Sequence, residues 1–416
     1  MASTRCADLP ASPRGRGIAA DIPDDLIFSI LSRLPANSVI RFRCVSKSWL
    51  AMTSSQTFID AHLGFSKASG LSNLVVPGEP YQQKRGPKTP LCMEFYKYTG
   101  GTRVGELVYR KHIPGEFSER APPLHCDGLI LTYTRDQEIM VCNPATKEFL
   151  ALPKGTTHGV VGDQLVGFGR DPCSNKYKVA RFFRQRRAGS TSLLECKFEV
   201  LTLGTEVWRR AVDPPCRVLD QSPPHVRGFI YWMPYLLSNR FFVCFSLADE
   251  IFSLVQYPPC QAEPVAFIEL EGDELSCACL AGASDHQVVE IWTCTNTDVP
   301  AWTRRCTVQL PPEKPVPGPG ASLGLLNTIS IYKNDLFFGM AGDGLYRYSI
   351  GTGVTKKVRC PVSLGDEVSF YPVNYTESLV QVKGQVTRAS NERILSRVLS
   401  FMSTRSRLCF FYLLCP

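Results

Sequence analysis

IPDDLIFSILSRLPANSVIRFRCVSKSWLAMTSSQTFIDAHL, residues 22–63, is the stretch that decides how this chain is built. It carries the clear helical periodicity of the sequence ahead of the C-terminal tail. Pro23 fits a first helical position, where its missing N–H leaves no bond unmade. Asp24 and Asp25 place negative charge at the positive end of that helix dipole. Leu26, Ile27, Ile30, Leu31 and Leu34 recur at helical spacing and predict one apolar stripe, which Pro35 ends. Asn37 or Ser38 is expected to cap a second helix with Val39, Ile40 and Phe42 as its apolar positions. Ser46 caps a third helix bearing Trp49, Leu50 and Met52, and Ser55 a fourth bearing Phe58, Ile59 and Leu63. Helices this short take their stability from packing. A module of about 40 residues also lies near the lower limit for an independent core. Its apolar surface is therefore expected to continue into a partner protein.

The remainder reads differently. From about Leu71 to Val380 the pattern is short alternating runs broken by turns. The 31 glycines and 31 prolines of this 416-residue chain agree with an all-β body. Gly64 to Lys88 has the Ser, Gly and Pro content of a linker, with strand signals starting near Leu74-Val75-Val76. A unit then recurs. Cys126-Asp127-Gly128-Leu129-Ile130-Leu131 is a turn followed by an apolar strand, then comes Glu138 to Cys142, the tight turn Asn143-Pro144-Ala145-Thr146, and Phe149 to Pro153. Similar strand clusters begin at Leu165, Val226, Cys277 and Ile329. A period of roughly 40–55 residues suggests four-stranded propeller blades, since stacking them buries faces that no single sheet can bury alone. Five units are clear, and residues 92–111 supply a further one if the C-terminal strand completes it, giving about six.

Both parts carry a resemblance. Ile22-Pro23-Asp24-Asp25-Leu26, Ile30 to Pro35, Ser38 to Arg43, Val45-Ser46-Lys47-Ser48-Trp49 and Phe58 resemble an F-box, the motif that docks onto the Skp-type adaptor of SCF ubiquitin ligases. Ile22-Pro23 stands where Leu-Pro is usual, and Ser46-Lys47 where Cys-Lys is usual. The body is similar to the F-box-associated domain of plant F-box proteins, described as β-propeller or Kelch-like. The residues that carry this are Asn143 to Phe149 with Leu152-Pro153, Gly167-Phe168-Gly169 with Asp171-Pro172, Tyr177-Lys178-Val179, Leu203-Gly204-Thr205 with Trp208-Arg209, Gly228 to Trp232 and Tyr375 to Val380. The alternative for the helical module is a private N-terminal cap on the β body, because periodicity does not separate the two.

Catalytic patterns fail in turn. Gly167-Phe168-Gly169 opens like a dinucleotide loop, but Pro172 replaces the third glycine and no helix follows. Walker, Gly-x-Ser-x-Gly and His-Glu-x-x-His motifs are absent from the sequence. The six histidines have no ligand spacing, and the pair His125-Cys126 points to opposite faces of a strand. Asp249-Glu250 and Asp273-Glu274 read as solvated acids at turns. The 17 cysteines show no Cys-x-x-Cys and read as reduced, small buried hydrophobes. The charge of +8 includes one local cluster, Arg181, Arg184, Arg186 and Arg187, which reads as a solvated hairpin tip and not as a nucleic-acid site. Trp208, Trp232, Trp292 and Trp302 are expected to pack between blades.

The expectations are these. Residues 1–20 form a disordered leader, 21–63 the F-box, 64–88 a linker, 89–380 a β-propeller-like domain of about six blades, and 381–416 a divergent extension with a helix at 393–402. The resemblance implies a substrate-recognition subunit of an SCF ligase, itself no enzyme, with no cofactor and no metal. Its partners would be the Skp-type adaptor, cullin and RING subunits indirectly, and a protein target, with neither nucleic acid nor membrane. The alternative is a non-ligase scaffold or protein-interaction propeller. The adaptor surface is assigned to Pro23, Leu26, Ile30, Leu34, Pro35, Val45 and Trp49, some of which must instead form the module's own core. The cysteine usage and the absence of a signal peptide or apolar span place the chain in the cytoplasm or nucleus.

Overall fold

Alternating strand pattern begins soon after residue 70, and the backbone follows it to residue 375. The computed structural model describes residues 22–382 except 71, 81–88, 99–103, 118–120, 135–136, 188, 190–192, 220–221, 236–239, 261–262, 270–273, 282–287, 296–300, 310–325, 333–334, 341–343 and 360–367. The leader at 1–20, Asp273 and the helix expected at 393–402 lie outside the described residues.

Four helices come first: α1 (Asp24–Leu31), α2 (Ala36–Phe42), α3 (Lys47–Thr53) and α4 (Gln56–Ala68). The serine caps form as the sequence predicts. Trp49 N donates to Ser46 Oγ at 3.0 Å, and Phe58 N to Ser55 Oγ at 3.3 Å. The prolines shift by one role. Pro23 and Pro35 are themselves the N-cap residues of α1 and α2, so Asn37 and Ser38 fall inside the first turn of α2. The proline ring fixes φ, −54° at both caps, and the extended ψ of 141–143° there launches each helix.

The strands follow in chain order. β1 (Ser72–Pro80), β2 (Thr89–Tyr98) and β3 (Val104–Phe117) lead. β4 (Leu124–Cys126), β5 (Leu129–Tyr133), β6 (Ile139–Asn143) and β7 (Glu148–Ala151) make one antiparallel sheet. β8 (Leu165–Arg170), β9 (Tyr177–Arg186), β10 (Leu194–Thr202) and β11 (Arg209–Arg210) make the next. β12 (His225–Val226), β13 (Phe229–Trp232), β14 (Phe241–Ser246) and β15 (Phe252–Gln256) make a third. An eight-stranded sheet holds β16 (Glu263–Glu269), β17 (Leu275–Ala281), β18 (Val288–Cys294), β19 (Trp302–Gln309), β20 (Leu326–Tyr332), β21 (Asp335–Met340), β22 (Gly344–Ser349) and β23 (Val354–Val358). Within it β16 and β20 run parallel, while the other pairings are antiparallel. β24 (Val368–Tyr375) returns to pair with β1, in the order β24-β1-β2-β3. The chain is thus a small helical region followed by a large all-β region of several sheets.

The linker expected at 64–88 is not one throughout. α4 runs on to Ala68, and β1 occupies Ser72–Pro80, so the β body starts before residue 89. Pro77, Gly78 and Pro80 read locally as punctuation. β1 nonetheless pairs with β24, from Ser72↔Tyr375 to Pro80↔Val368, absorbing the prolines in an irregular register. No local pattern contains a partner from the far end of the chain.

Neighbouring sheets meet through close packing. Gly167 on β8 faces Trp232 of the following sheet, where a β-carbon would lie 2.6 Å from the indole. Gly169 faces His225, where a β-carbon would lie 2.1 Å from the ring. The Gly-Phe-Gly pair is therefore a packing device. Trp232 then stacks edge-on to Phe182, ring centroids 4.9 Å apart. Trp208 and Trp302 also link units: their indole N–H groups donate to Pro153 O at 2.7 Å and Gln256 O at 2.9 Å, each at or just after the last strand of the preceding sheet.

Charges read as solvated are also used in packing, within a sheet for Arg181 and between sheets for Glu250. Arg181 does not belong to an exposed hairpin tip. It is 1% exposed, paired with Glu199, and its Nε donates to Gln164 Oε1 at 2.7 Å. A ten-residue strand pairing along its whole length carries Arg181 inward while Arg186 stays outside. Glu250 is likewise no free acid: Lys178 reaches both it and Asp171 at 2.9 Å, and Arg209 pairs with it.

Candidate functional site: an outward apolar face on the helical module

The apolar residues of α1 divide into two stripes. Leu31 is buried, and Ile27, Phe28 and Leu34 pack against the same core cluster, which includes Val39, Phe58, Ile59 and Leu63. Ile22, Leu26 and Ile30 turn the other way and are 58%, 55% and 56% exposed. The spacings explain the split. Leu26 and Ile30 lie four residues apart on one face of α1, and Ile27 and Leu31 form a second face about 100° away, while Ile22 precedes the helix and Leu34 follows it. The single stripe expected from periodicity is a sum of these two.

The seven expected contact residues fall into two groups. Pro23, Leu26, Ile30, Pro35 and Val45 are exposed. Leu34 and Trp49 are half-buried and pack on the module's own core. Trp49 is also met edge-on by Phe42, ring centroids 5.8 Å apart, and Phe42 is itself 37% exposed. Ile22 and Phe42 thus join the outward set that the expected list left out. Ile22 precedes the Pro23 cap, outside α1, so helical spacing does not place it. The approach of α2 to α3, which brings Phe42 to Trp49, has no local signature.

The opposite side of the module is fastened to the β body. His62 on α4 is fully buried, and its Nε2 donates to Leu34 O at 2.9 Å, tying α4 to the end of α1. Burial holds this imidazole below its usual range, so it stays neutral with the proton on Nε2. Lys67, at the end of α4, reaches Asp127 at 2.6 Å. Asp127 sits at the β4–β5 turn with φ 52°, accepts from Tyr177 Oη at 3.0 Å, and lies 3.6 Å from Arg170. Arg170 in turn approaches Asp60 of α4 at 3.5 Å.

The last described residues complete this platform. Ser378 Oγ donates to Asp127 O at 2.7 Å. Asn143 Nδ2 donates to Ser378 O at 3.1 Å and Val380 O at 2.9 Å, while its Oδ1 accepts from Ala145 N at 3.0 Å. Leu379, Val380 and Val382 then enter the same core cluster as the helices. Two motifs more than two hundred residues apart, Asn143 to Thr146 and Tyr375 to Val380, form one structure under the module.

The thiol at Cys126 faces His225, Sγ to Nδ1 3.7 Å, and not its neighbour His125. Burial pushes that thiol well above its ordinary range, which leaves it a poor nucleophile. The arrangement is suited to packing and docking, with its apolar surface turned outward.

Known proteins match both parts. The family model described as "F-box associated beta propeller domain" matches residues 103–317, and the one described as "F-box domain" matches residues 20–60. A protein of Arabidopsis thaliana named for its F-box is 28% identical over 275 residues, covering 64% of this chain and 67% of the relative. An F-box/LRR-repeat protein of Arabidopsis thaliana is 27% identical over 307 residues, covering 70% of this chain and 68% of its own. Among solved structures, an oligogalacturonate lyase in complex with manganese aligns over 68% of this chain and 78% of its own, at 10% identity and a TM-score of 0.41, too slight a likeness to bear on fold or activity.

Proposed function

The chain belongs to the F-box-associated β-propeller family, with an F-box at its N-terminus, and from that membership we propose that it is the substrate-recognition subunit of an SCF-type ubiquitin ligase. The observation that carries the reading is the division of the helical module. One face is fastened to the β body through Lys67 and Asp127. The other leaves Leu26, Ile30 and Val45 more than half exposed, at 55%, 56% and 54%. Apolar residues held outward on a rigid platform fit a partner helix or groove. Pro23, Leu26, Ile30, Pro35 and Val45 are assigned to the Skp-type adaptor, with Leu34 and Trp49 supporting them from beneath.

The β body is read as a six-bladed propeller that holds the target. Four four-stranded sheets support this, together with the eight-stranded sheet, which divides at the parallel β16–β20 pairing into two antiparallel halves of four. The pairing of β24 with β1 is the contact expected of ring closure. Residues 21–68 then act as the F-box and 72–382 as one body. The chain would work by proximity, raising the effective concentration of a target lysine beside the charged conjugating enzyme, with catalysis in its partners. Such a role belongs to the cytoplasm or nucleus.

Tagged full-length chain is compared with a version lacking residues 1–63 for recovery of adaptor and cullin. The full chain is expected to recover both and the truncated one neither. Recovery of neither by the full chain overturns the reading, and ubiquitin transfer to a trapped target separates a ligase subunit from a scaffold.

A further inference from the structure

We infer that the target is held at the end of the β body remote from the helical module, on β9, β10 and the segments beside them, and that the surface takes an acidic protein segment with an apolar residue next to its charges. This rests on the receptor reading above and names the chemistry of the target.

The strand directions locate the surface. β9 starts at Tyr177, whose hydroxyl donates to Asp127 beneath α4, and ends at Arg186. At roughly 3.3 Å per residue its far end is about 30 Å from the module. β10 returns from that end, with Cys196 opposite Arg184 and Leu194 opposite Arg186. Residues 157–163 close over the same place. Val160 bridges Gln185, Val161 N donates to Arg184 O at 2.9 Å, and Arg186 N donates to Gly159 O at 2.8 Å. β8 runs back from that end, with Leu165 opposite Phe182 and Arg170 opposite Tyr177. Gly169 packs on His225 and Gly167 on Trp232, so β13 runs toward the same end, and just beyond it the Val218–Pro234 bridge joins the segments of Arg217 and Tyr235.

The surface is built on a fixed base. Beneath residues 156–164, Glu199 accepts from Arg181 and from Thr156 Oγ1 at 2.8 Å, and Arg181 donates onward to Gln164. The Arg184 guanidinium lies across Gly162, where a β-carbon would sit 2.4 Å from its Nη2. The Arg217 guanidinium stacks 3.9 Å from the centroid of the Tyr235 ring. Cys196 lies opposite Arg184 on the paired strands, and burial pushes its thiol up.

Charge is left over there. Glu195 and Asp213 are engaged by Lys197 at 2.9 Å each, and further by Arg187 at 3.6 Å and Arg210 at 3.4 Å. Neither Arg184 nor Arg217 has a carboxylate partner among the described residues. Asp163 is the further carboxylate of this end. Guanidiniums fixed in place and unpaired favour carboxylate or phosphate oxygens, to which they bond bidentately. Leu193, Val212 and Tyr235 are exposed at 56%, 59% and 49% on the same end, which suits an apolar residue beside the acid.

The test uses immobilised full-length chain and an array of peptides, each with a central leucine or phenylalanine flanked by Glu/Asp, by phosphoserine, by Gln/Ser or by Lys. A single-stranded RNA is the competing probe, and adaptor capture is measured on the same preparations. The acidic series, carboxylate or phosphate, is expected to bind and the neutral and basic series not. The stronger of the two acidic arms identifies the oxygen donor. Arg184→Glu with Arg217→Glu is expected to weaken the acidic arm about tenfold or more, from the loss of charge-assisted bonds. Arg217→Gln, at an exposed position, moves it the same way by less and serves if the double variant does not fold. Equal binding of neutral peptides, indifference to these substitutions, or tighter binding of RNA overturns the inference. Adaptor capture with a silent array rejects this surface and leaves the receptor reading standing. Acidic binding without adaptor capture does the reverse.

Discussion

Lys67, on the last turn of α4, and Asp127, at the turn between β4 and β5, meet at 2.6 Å, and through this contact the helical module is fastened to the body. Asp127 is 6% exposed on its side chain, against 52% for Lys67, so the carboxylate is the buried half of the pair. It also serves Tyr177 and Arg170, which makes it the hub of the junction.

Asp127→Asn tests that hub without disturbing its backbone, because asparagine tolerates a φ of 52°. The substitution is expected to cost about 2 kcal/mol, the scale of hydrogen bonds to a charged group. Denaturant unfolding gives the size. Hydrogen exchange localises it, with α4 and residues 376–382 losing protection first. Unchanged exchange there would show that the apolar contacts alone hold the module.

The outward stripe should be separable from the fold. Leu26→Asp with Ile30→Asp is expected to abolish adaptor capture while the melting temperature moves little, since both side chains are more than half exposed, at 55% and 56%. Leu34→Asp is expected to unfold the module instead, because Leu34 packs on its core. Pull-down and thermal melting on the same samples distinguish the two effects.

Gly167→Ala puts a methyl group 2.6 Å from the Trp232 indole and 2.8 Å from Ile230, two side chains with no room to retreat. The expected cost is about 1–3 kcal/mol from overpacking. Chemical denaturation should show a lower midpoint at unchanged slope. Gly64→Ala in α4 is the contrasting case: a β-carbon there meets nothing within 4 Å and alanine favours a helix, so the midpoint is expected not to fall.

Two titrations define the acid limb of stability. Burial holds His62 below its ordinary value of 6.5, so its contribution is complete above that pH and declines as pH falls below it. Burial raises Asp171, but the hydrogen bonds from Ser174, Lys178 and the backbone at Cys173 outweigh it and hold the carboxyl at about 2. Its contribution is therefore present above the ordinary 3.8 and is lost as pH falls toward 2. Two steps are expected in a stability–pH profile: one below 6.5 that His62→Gln removes, and one between 3.8 and 2 that Asp171→Asn removes. A flat profile between pH 6.5 and 5 would count against a neutral His62.

Much of this protein is legible in local sequence because local physics sets it. Ser46 and Ser55 cap their helices where the pattern says, since a cap bond spans only three residues. The recurrent turn–strand units are read from alternation, which depends on near neighbours. The Gly-Phe-Gly string was visible too, but its role was not, because the indole it accommodates lies sixty-odd residues away in the next sheet.

The sequence by itself determined the two-part plan, a short helical module ahead of a β body, and the family resemblance of each part. Only the tertiary structure decided which of the apolar residues of α1 face outward, for periodicity adds two stripes into one until a packing partner removes one of them. Only it decided that 72–80 is a strand, that Arg181 is core while Arg184 is surface, and that the Asn143 turn and the Ser378 segment are one joint. Each of these is a pairing between residues far apart in the chain, and a buried or exposed fate belongs to the pair and not to either residue alone.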